Sequence, residues 1–510
     1  GSASFLAQNL TDLIGAKLRT FIDRYPHVLG LPADGKYIVF SNSDASRLAC
    51  DRLFYFSQVE QLRRKGTARM EFGNAWDTLV EDLYQWWKAT DAPYPMSGLY
   101  RCVWCSGEGI PDGGDACEHC AGTGRSIVER AMSVFDNAMY GNEPTMTQEE
   151  WSEIHETLLR VAQGYIHRYE GGPLQSMRVI GTQVSLARAI VHPITGKPFR
   201  GQMLLEKQGT GWILARAGAV QRAECGEAEL KKVNWPWFQV GKLDLLVATR
   251  RDDIAWVMDA KASSQPTRYQ NGMEVDPQLP GYCWLLEPHL EHFGLKGIGG
   301  FQYDVVHSKY QPDPKELTWK PPSMEKLKEM AAERGLTIKA KTSQEYQDAL
   351  GITPGHGGFS VAQNAGVPSW RFRWALKEAG LDEAPYAEHI AFCEQHVDPN
   401  LYMRPWQKIG PDHWRRYSAE IFSKAVKMNL LRKAGAAATT GVQIDMSFPR
   451  TPVCMSPGGS CGYTQVCAQD GMEPRSAFQQ LPGQSWSEGE GLELSAPHVQ
   501  APTLIPDTDW

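Results

Sequence analysis

No apolar run in the 510 residues approaches the length needed to span a bilayer, so no membrane role is expected. No secretory signal opens the chain, which weakens disulfides as the explanation for its 11 cysteines. There is no Walker A glycine loop with its Lys and Ser/Thr, so no intrinsic ATP-driven unwinding is expected. Internal repeats are missing apart from two short cysteine half-sites. Positive charge is scarce: 52 Lys and Arg face 59 Asp and Glu, a formal net charge of −7. Any attraction to phosphates must therefore come from local patches. The length leaves room for two or three cores.

What is present is concentrated in two short segments. Gly241-Lys242-Leu243-Asp244 follows the strand-like Phe238-Gln239-Val240, and Asp259-Ala260-Lys261 follows the apolar Ile254-Ala255-Trp256-Val257-Met258. Side chains two apart on a strand project the same way, so Asp259 and Lys261 point together, and a paired strand can bring Asp244 beside them. Charges at the edge of a core are costly unless paired or bound to metal. Two carboxylates and a lysine at one strand end suit Mg2+ binding and water activation, the needs of phosphodiester hydrolysis. A surface salt bridge is the plainer alternative for the Asp–Lys pair.

These segments resemble the PD-(D/E)XK nucleases, and within them the RecB-like branch. Gln278-Leu279-Pro280-Gly281-Tyr282 resembles that branch's Q-x-x-x-Y motif. Gln278 and Tyr282 share a face if helical. Pro280 and Gly281 place the motif in a first helical turn begun near Asp276-Pro277. Upstream, Gly73-Asn74-Ala75-Trp76-Asp77 resembles the family's G-x-x-x-H, with Asp77 where a metal-binding histidine is usual. Aspartate also binds Mg2+ or Mn2+. The resemblance implies an α/β fold: a mixed central β-sheet flanked by helices. It implies Asp77, Asp244, Asp259 and the carbonyl of Ala260 as Mg2+ or Mn2+ ligands. Lys261 would orient or deprotonate water or offset phosphate charge, Gln278 and Tyr282 would position a strand end, and Glu81 would support the Asp77 helix or bind metal through water.

Seven of the cysteines fall into two groups. Cys102, Cys105, Cys117 and Cys120 follow C-x2-C-x11-C-x2-C, a zinc pattern. Each half continues into a glycine pair, Gly107/Gly109 and Gly122/Gly124, resembling the units of the DnaJ zinc domain over about 25 residues. That supports a four-cysteine Zn2+ module, not a chaperone; a scaffold role competes with a DNA-wedge or partner-docking one. Cys454, Cys461 and Cys467 leave a tetrahedral site one ligand short, and Cys50 is the candidate fourth. Spacing alone does not separate iron–sulfur from zinc. The arrangement resembles the iron–sulfur RecB-like nucleases, including AddB and the CRISPR adaptation nucleases, which implies a 4Fe-4S cluster stapling residue 50 to the C-terminal region. Cys225, Cys283 and Cys393 read as buried thiols.

Residues 401–434 hold eight Lys or Arg against two acids, with aromatics interleaved. Arg404, Lys408, Arg415, Arg416 and Trp414 could meet phosphates and unpaired bases; a solvated helix with buried aromatics explains the pattern equally well. The expected organisation is a helical region 1–96 with Cys50 and Asp77, the zinc module 97–126, a nuclease core 127–310, and a helical insertion and basic helical region 311–445. A cluster loop 446–470 and a disordered acidic tail 471–510 complete it.

The resemblance implies a divalent-metal-dependent DNA exonuclease acting on single- or double-stranded linear ends in recombination, repair or replication. It further implies a bacterial cytoplasm, phage or prophage origin, and helicase, single-strand-binding or recombinase partners. The alternatives are a structure-selective endonuclease and a non-catalytic DNA-end-binding assembly factor.

Overall fold

A computed structural model describes residues 28–437, except 33–36, 43–44, 55–61, 65–67, 110–115, 141–146, 170–175, 209–210, 216–217, 353–357, 361–363 and a few single positions, together with 478–480. In chain order the elements are β1 (Ile38–Ser41), α1 (Asp51–Phe54), β2 (Leu62–Arg64), α2 (Ala68–Thr90), α3 (Ile127–Tyr140), α4 (Gln148–Tyr169), β3 (Met177–Ala189), β4 (Arg200–Gln208) and β5 (Gly211–Leu214). Then come α5 (Ala219–Glu224), β6 (Leu230–Thr249), β7 (Ile254–Ser263), α6 (Thr267–Gly272), α7 (Gln278–Leu286) and β8 (Gly297–His307). The last are α8 (Met324–Glu333), α9 (Ser343–Leu350), α10 (Ser369–Glu378), α11 (Ala387–His396), β9 (Tyr402–Met403), β10 (Trp406–Lys408), α12 (Pro411–Ala437) and β11 (Phe478–Gln480).

A mixed nine-stranded sheet forms the centre, with the order β10-β8-β7-β6-β4-β5. β1 adds in parallel and β3 antiparallel to β6. β6 is long enough to change partners. Its first part pairs with β4 up to Pro236, and its second part pairs with β3 from Phe238 onward. Proline donates no ladder hydrogen bond, so it fits the point where one partner gives way to another. The Arg250–Asp253 turn joins β6 to β7 as its residues suggest, with Asp253 in the left-handed region at φ 55°.

Helices cover both faces. Apolar side chains of α2, α3 and α4 pack with Leu245, Val247, Met258, Ala260 and Val306 of the sheet. On the other face, α7 and α12 pack against Leu243, Leu246, Val257, Phe301 and Tyr303. Burial on both faces explains why the end of β6 and most of β7 read as apolar runs. Among the described residues no helix is long and apolar enough to cross a membrane.

Three segments differ from expectation. The helical region 1–96 contains β1 and β2, and the helical region 311–445 contains β9 and β10. These strands span two to four residues, too few to show an alternation, and neighbouring strands hold them in place. Phe478–Gln480, inside the tail expected to be disordered, pairs antiparallel with β2. The other tail residues, and Cys454, Cys461 and Cys467, lie outside the described residues.

Candidate metal-dependent active site

The two charged segments meet where β6 and β7 part company. Their ladder runs only from Ala248 opposite Ala255 to Leu245 opposite Met258. One step further, Asp244 no longer pairs through its backbone; its Oδ2 accepts the Ala260 N–H at 3.2 Å instead. A side chain thus takes over a ladder bond, leaving the Asp244 and Asp259 carboxylates either side of the gap. On the other edge of β6, Gln183 of β3 lies between Thr182 and Val184, which pair with Leu245 and Leu243. Gln183 has φ 52°, a costly conformation for a side chain of this kind, and its buried Oε1 has no hydrogen-bond partner among the described residues.

Asp259 is 1% exposed and contacts the Lys261 ammonium directly, and the same ammonium lies 4.0 Å from Asp244 Oδ2. Burial would lower the Lys261 pKa, but the charges of Asp259, Asp244 and Asp77 outweigh it and push it up. The lysine is therefore held as a cation. Gln278, the first residue of α7, donates through Nε2 to Asp259 Oδ1 at 3.3 Å and to the Tyr282 hydroxyl at 3.0 Å. The motif does occupy a first helical turn. Pro277 is its N-cap, and Asp276 Oδ1 accepts the Gln278 N–H at 2.8 Å. Pro280 costs nothing there, since the first helical N–H groups have no intrahelical partner.

Glycines set the approach of α7. A Cβ on Gly241 would fall 2.6 Å from Leu285 Cδ1, and one on Gly281 would fall 2.4 Å from the Tyr417 hydroxyl. Asn42, just beyond β1, donates to the Gln278 carbonyl at 3.3 Å, and Tyr417 of α12 donates to Asn42 at 2.8 Å. The start of α7 is thus held from both sides.

Asp77 comes from the opposite layer, on α2. Burial and the neighbouring Asp244 charge push its carboxyl up to about 7, while Lys261 and Lys242 work against them. Burial likewise raises Glu81. Lys242 acts on both acids and was not assigned a role from the sequence; its i, i+2 relation to Asp244 on one strand was the available signal. Among the described residues Asp77, Asp244 and Asp259 do not bring one oxygen each within 4.8 Å of one another; the only set that does so is the four-cysteine group. The donor set nevertheless suits a hard divalent cation: three carboxylates, that of Asp259 fully buried and those of Asp77 and Asp244 partly so. Burial first, and then the Asp244 charge, drive Asp77 to about 7, and a bound cation would offset the second of these.

A buried ion pair fastens α2 behind this cluster. Arg404 holds Asp304 of β8 through Nε to Oδ1 and Nη2 to Oδ2, both at 3.0 Å. Tyr84 of α2 donates to Asp304 Oδ2 at 2.5 Å, and Tyr165 of α4 donates to the same oxygen. Tyr84 lies two turns after Asp77 on one helix face. Arg404, expected to meet nucleic acid, is instead only 10% exposed and internal. Of its companions, Lys408, Arg415 and Arg416 are exposed, Arg415 with Asp412 as an ion partner at 3.0 Å, whereas Trp414 packs on the core.

The four-cysteine module is separate. Its four buried thiols lie within 4.8 Å of one another. The halves cross: Cys102 N–H donates to Gly124 O at 3.0 Å and Cys117 N–H to Gly109 O at 2.8 Å. Gly109 and Gly124 N–H donate to Cys105 and Cys120 Sγ at 3.3 and 3.2 Å. Both glycines have positive φ, and a Cβ on Gly124 would meet Gly107 O at 2.3 Å. The module leans on α2, where Trp86 packs edge-on against Trp104 at 4.9 Å. Ser126 and Glu129 then cap α3 reciprocally. Cys50 is buried, as are Cys283 and Cys393, while Cys225 is exposed.

No curated protein matches the chain. A family model does: that of the PD-(D/E)XK nuclease superfamily, over residues 41–350. This span is more than half of the sequence and contains Asp77, Asp244, Asp259, Lys261, Gln278 and Tyr282. With its acids and lysine gathered at one splayed strand pair of a helix-flanked mixed sheet, the chain belongs to the PD-(D/E)XK nuclease superfamily.

Proposed function

We propose that the protein is a divalent-metal-dependent deoxyribonuclease that hydrolyses phosphodiester bonds from DNA ends. The observation that carries this reading is the buried Asp259–Lys261 pair beside Asp244, with Asp77 facing it from α2. Asp77, Asp244 and Asp259 would hold Mg2+ or Mn2+, with the Ala260 carbonyl as a further ligand. When bound, such an ion supplies a Lewis acid for the phosphate and eases ionisation of the attacking water. Lys261, held as a cation by three carboxylates, offsets charge on the phosphate; proton abstraction does not suit it. Gln278 orients Asp259 and, with Tyr282, presents polar groups to the strand.

End-directed cleavage is favoured over structure-selective nicking by the Gln278/Tyr282 pair. A circular single strand separates the two, since an obligate exonuclease leaves it intact. Recombination, repair or replication in a bacterial or phage setting is the context we infer.

We also infer zinc in the four-cysteine module and a 4Fe-4S cluster on Cys50, Cys454, Cys461 and Cys467. Support for the cluster beyond cysteine spacing comes from chain routing. Lys427 of α12 pairs with Asp51 at 2.5 Å, next to Cys50. β11, shortly after Cys467, pairs with β2, shortly after Cys50. The described residues before and after the three C-terminal cysteines thus contact Asp51 and β2, the parts of the chain that follow Cys50. Anaerobically prepared protein should show broad visible absorption that Cys50→Ser abolishes; an unchanged spectrum removes the cluster.

A further inference from the structure

A cleft of about 390 Å3 opens where the parallel strands β7 and β8 end, lined by residues 264–268, Asn271, His307, Asp398 and Asn400. The ladder places it relative to the acid–lysine cluster. Asp259 is opposite Tyr303, Lys261 opposite Val305, and Ser263 opposite His307. Alternate residues share a face, so His307 lies on the face that carries Asp259 and Lys261, about 7 Å beyond the level of Lys261. A chain of contacts links the two. Tyr269, next to Arg268, packs edge-on against Tyr303 at 5.0 Å, and Tyr303 donates to Asp276 Oδ2 at 2.5 Å, two residues before Gln278.

The lining is polar but balanced in charge. Arg268 and Asp398 are its only ions; the rest is amides, hydroxyls, a proline and one imidazole. A free phosphate would need more cations. Side-chain amides and imidazole match the donor and acceptor edges of nucleobases, and such edges are read in unpaired strands. Arg268 lies over the Tyr269 ring at 4.8 Å and donates to its hydroxyl at 2.8 Å, which presents a flat cationic surface. His307 Nδ1 is buried and has no hydrogen-bond partner among the described residues. Burial pulls the His307 pKa below its ordinary value, which favours the neutral ring. The volume lies within the range of small-molecule sites.

We propose that this cleft is a nucleobase subsite that takes an unpaired base next to the scissile phosphate, so that the substrate strand is single-stranded there. The proposal rests on the nuclease reading above and adds the strand state to it. A paired base has its Watson–Crick edge occupied and cannot satisfy the amides.

The test uses the full chain without added Mg2+ or Mn2+, which withholds the ion cleavage needs and leaves the cysteine module's metal in place, with a short end-labelled oligothymidylate read by fluorescence anisotropy. A series of strands carries a single abasic site at successive positions. Loss of one particular base should weaken binding roughly tenfold, the scale of one lost base contact. His307→Ala and Asn271→Ala should bind the intact strand and that abasic strand equally. Thermal unfolding checks each variant, and Asn400→Ala on the facing wall serves if either fails to fold. A flat abasic series, or discrimination that persists in the folded variants, overturns the subsite. Mn2+-dependent cleavage of the same oligothymidylate and of a linear duplex by the unaltered protein is measured in parallel, and absence of cleavage means that neither is cut. Cleavage with a flat series removes the subsite alone. A position-specific effect without cleavage keeps the base site and removes the nuclease reading. Absence of both removes both.

Discussion

Burial and the Asp244 charge lift the Asp77 carboxyl to about 7, so this group changes charge near neutrality. Its folded-state pKa lies above its unfolded value, and the folded chain therefore binds more protons than the unfolded one between roughly pH 4 and 7. Its contribution to stability is complete below the unfolded pKa and is lost as pH rises through about 7. Asp82, raised to about 7 by burial against the pull of Arg130, tilts the curve the same way. Metal-free protein should accordingly melt at a lower temperature at pH 8 than at pH 6, and Asp77→Asn should reduce that slope. Divalent metal reverses the sign, because it needs the carboxylate: apparent Mn2+ affinity should rise from pH 6 to pH 8. Thermal unfolding with and without Mn2+ at both pH values measures the two effects. An Asp77→Asn slope equal to that of the unaltered chain would remove Asp77 from the account.

At the scale of elements, two devices hold the site's surroundings. Asp304 and Arg404 bind α2 to β8, with Tyr84 as the link. Arg404→Met leaves a buried carboxylate unpaired and should destabilise the fold by about 3–5 kcal/mol. Because Tyr84 and Asp77 share a helix face, Mn2+ affinity should weaken as well; unfolding in denaturant and a metal titration test the two parts. Gly124→Ala places a Cβ 2.3 Å from Gly107 O in a left-handed backbone. It should cost the module the zinc we infer for it, measured as metal per chain, while the strand-borne acids remain in place. Full zinc retention would contradict the crossed-halves geometry. These two devices were unequally legible in the sequence. The cysteine module is local, so spacing and glycine pairs revealed it. The role of Arg404 was hidden because its partner is 100 residues away. A basic residue among other basic residues reads as surface until an internal acid is found opposite it. Asp259 and Lys261 were legible because charges closing an apolar run need a reason to be there. Gln183 was not, because nothing local marks a left-handed backbone at a glutamine within a strand.

Across the whole molecule, a helix-flanked mixed sheet brings α2, β6, β7 and α7 to one place, though Asp77 and Tyr282 are far apart in the chain. The class of fold was legible from the apolar runs and the resemblance. The short strands β1, β9 and β10 were not, because sheet neighbours rather than their own residues define them. The return of the C-terminal segment to β2 was equally hidden, since three residues of strand carry no pattern of their own. The most direct measurement is digestion of end-labelled linear DNA by anaerobically prepared protein with Mg2+ or Mn2+, beside Asp259→Ala. The account predicts metal-dependent shortening of the strand by the unaltered protein, and at least a hundredfold loss of rate, of the order expected when a key electrostatic group is removed, in an Asp259→Ala protein that still binds DNA. An Asp259→Ala protein that cuts at the original rate, or an unaltered, folded and metal-loaded protein that cuts no DNA, would contradict it.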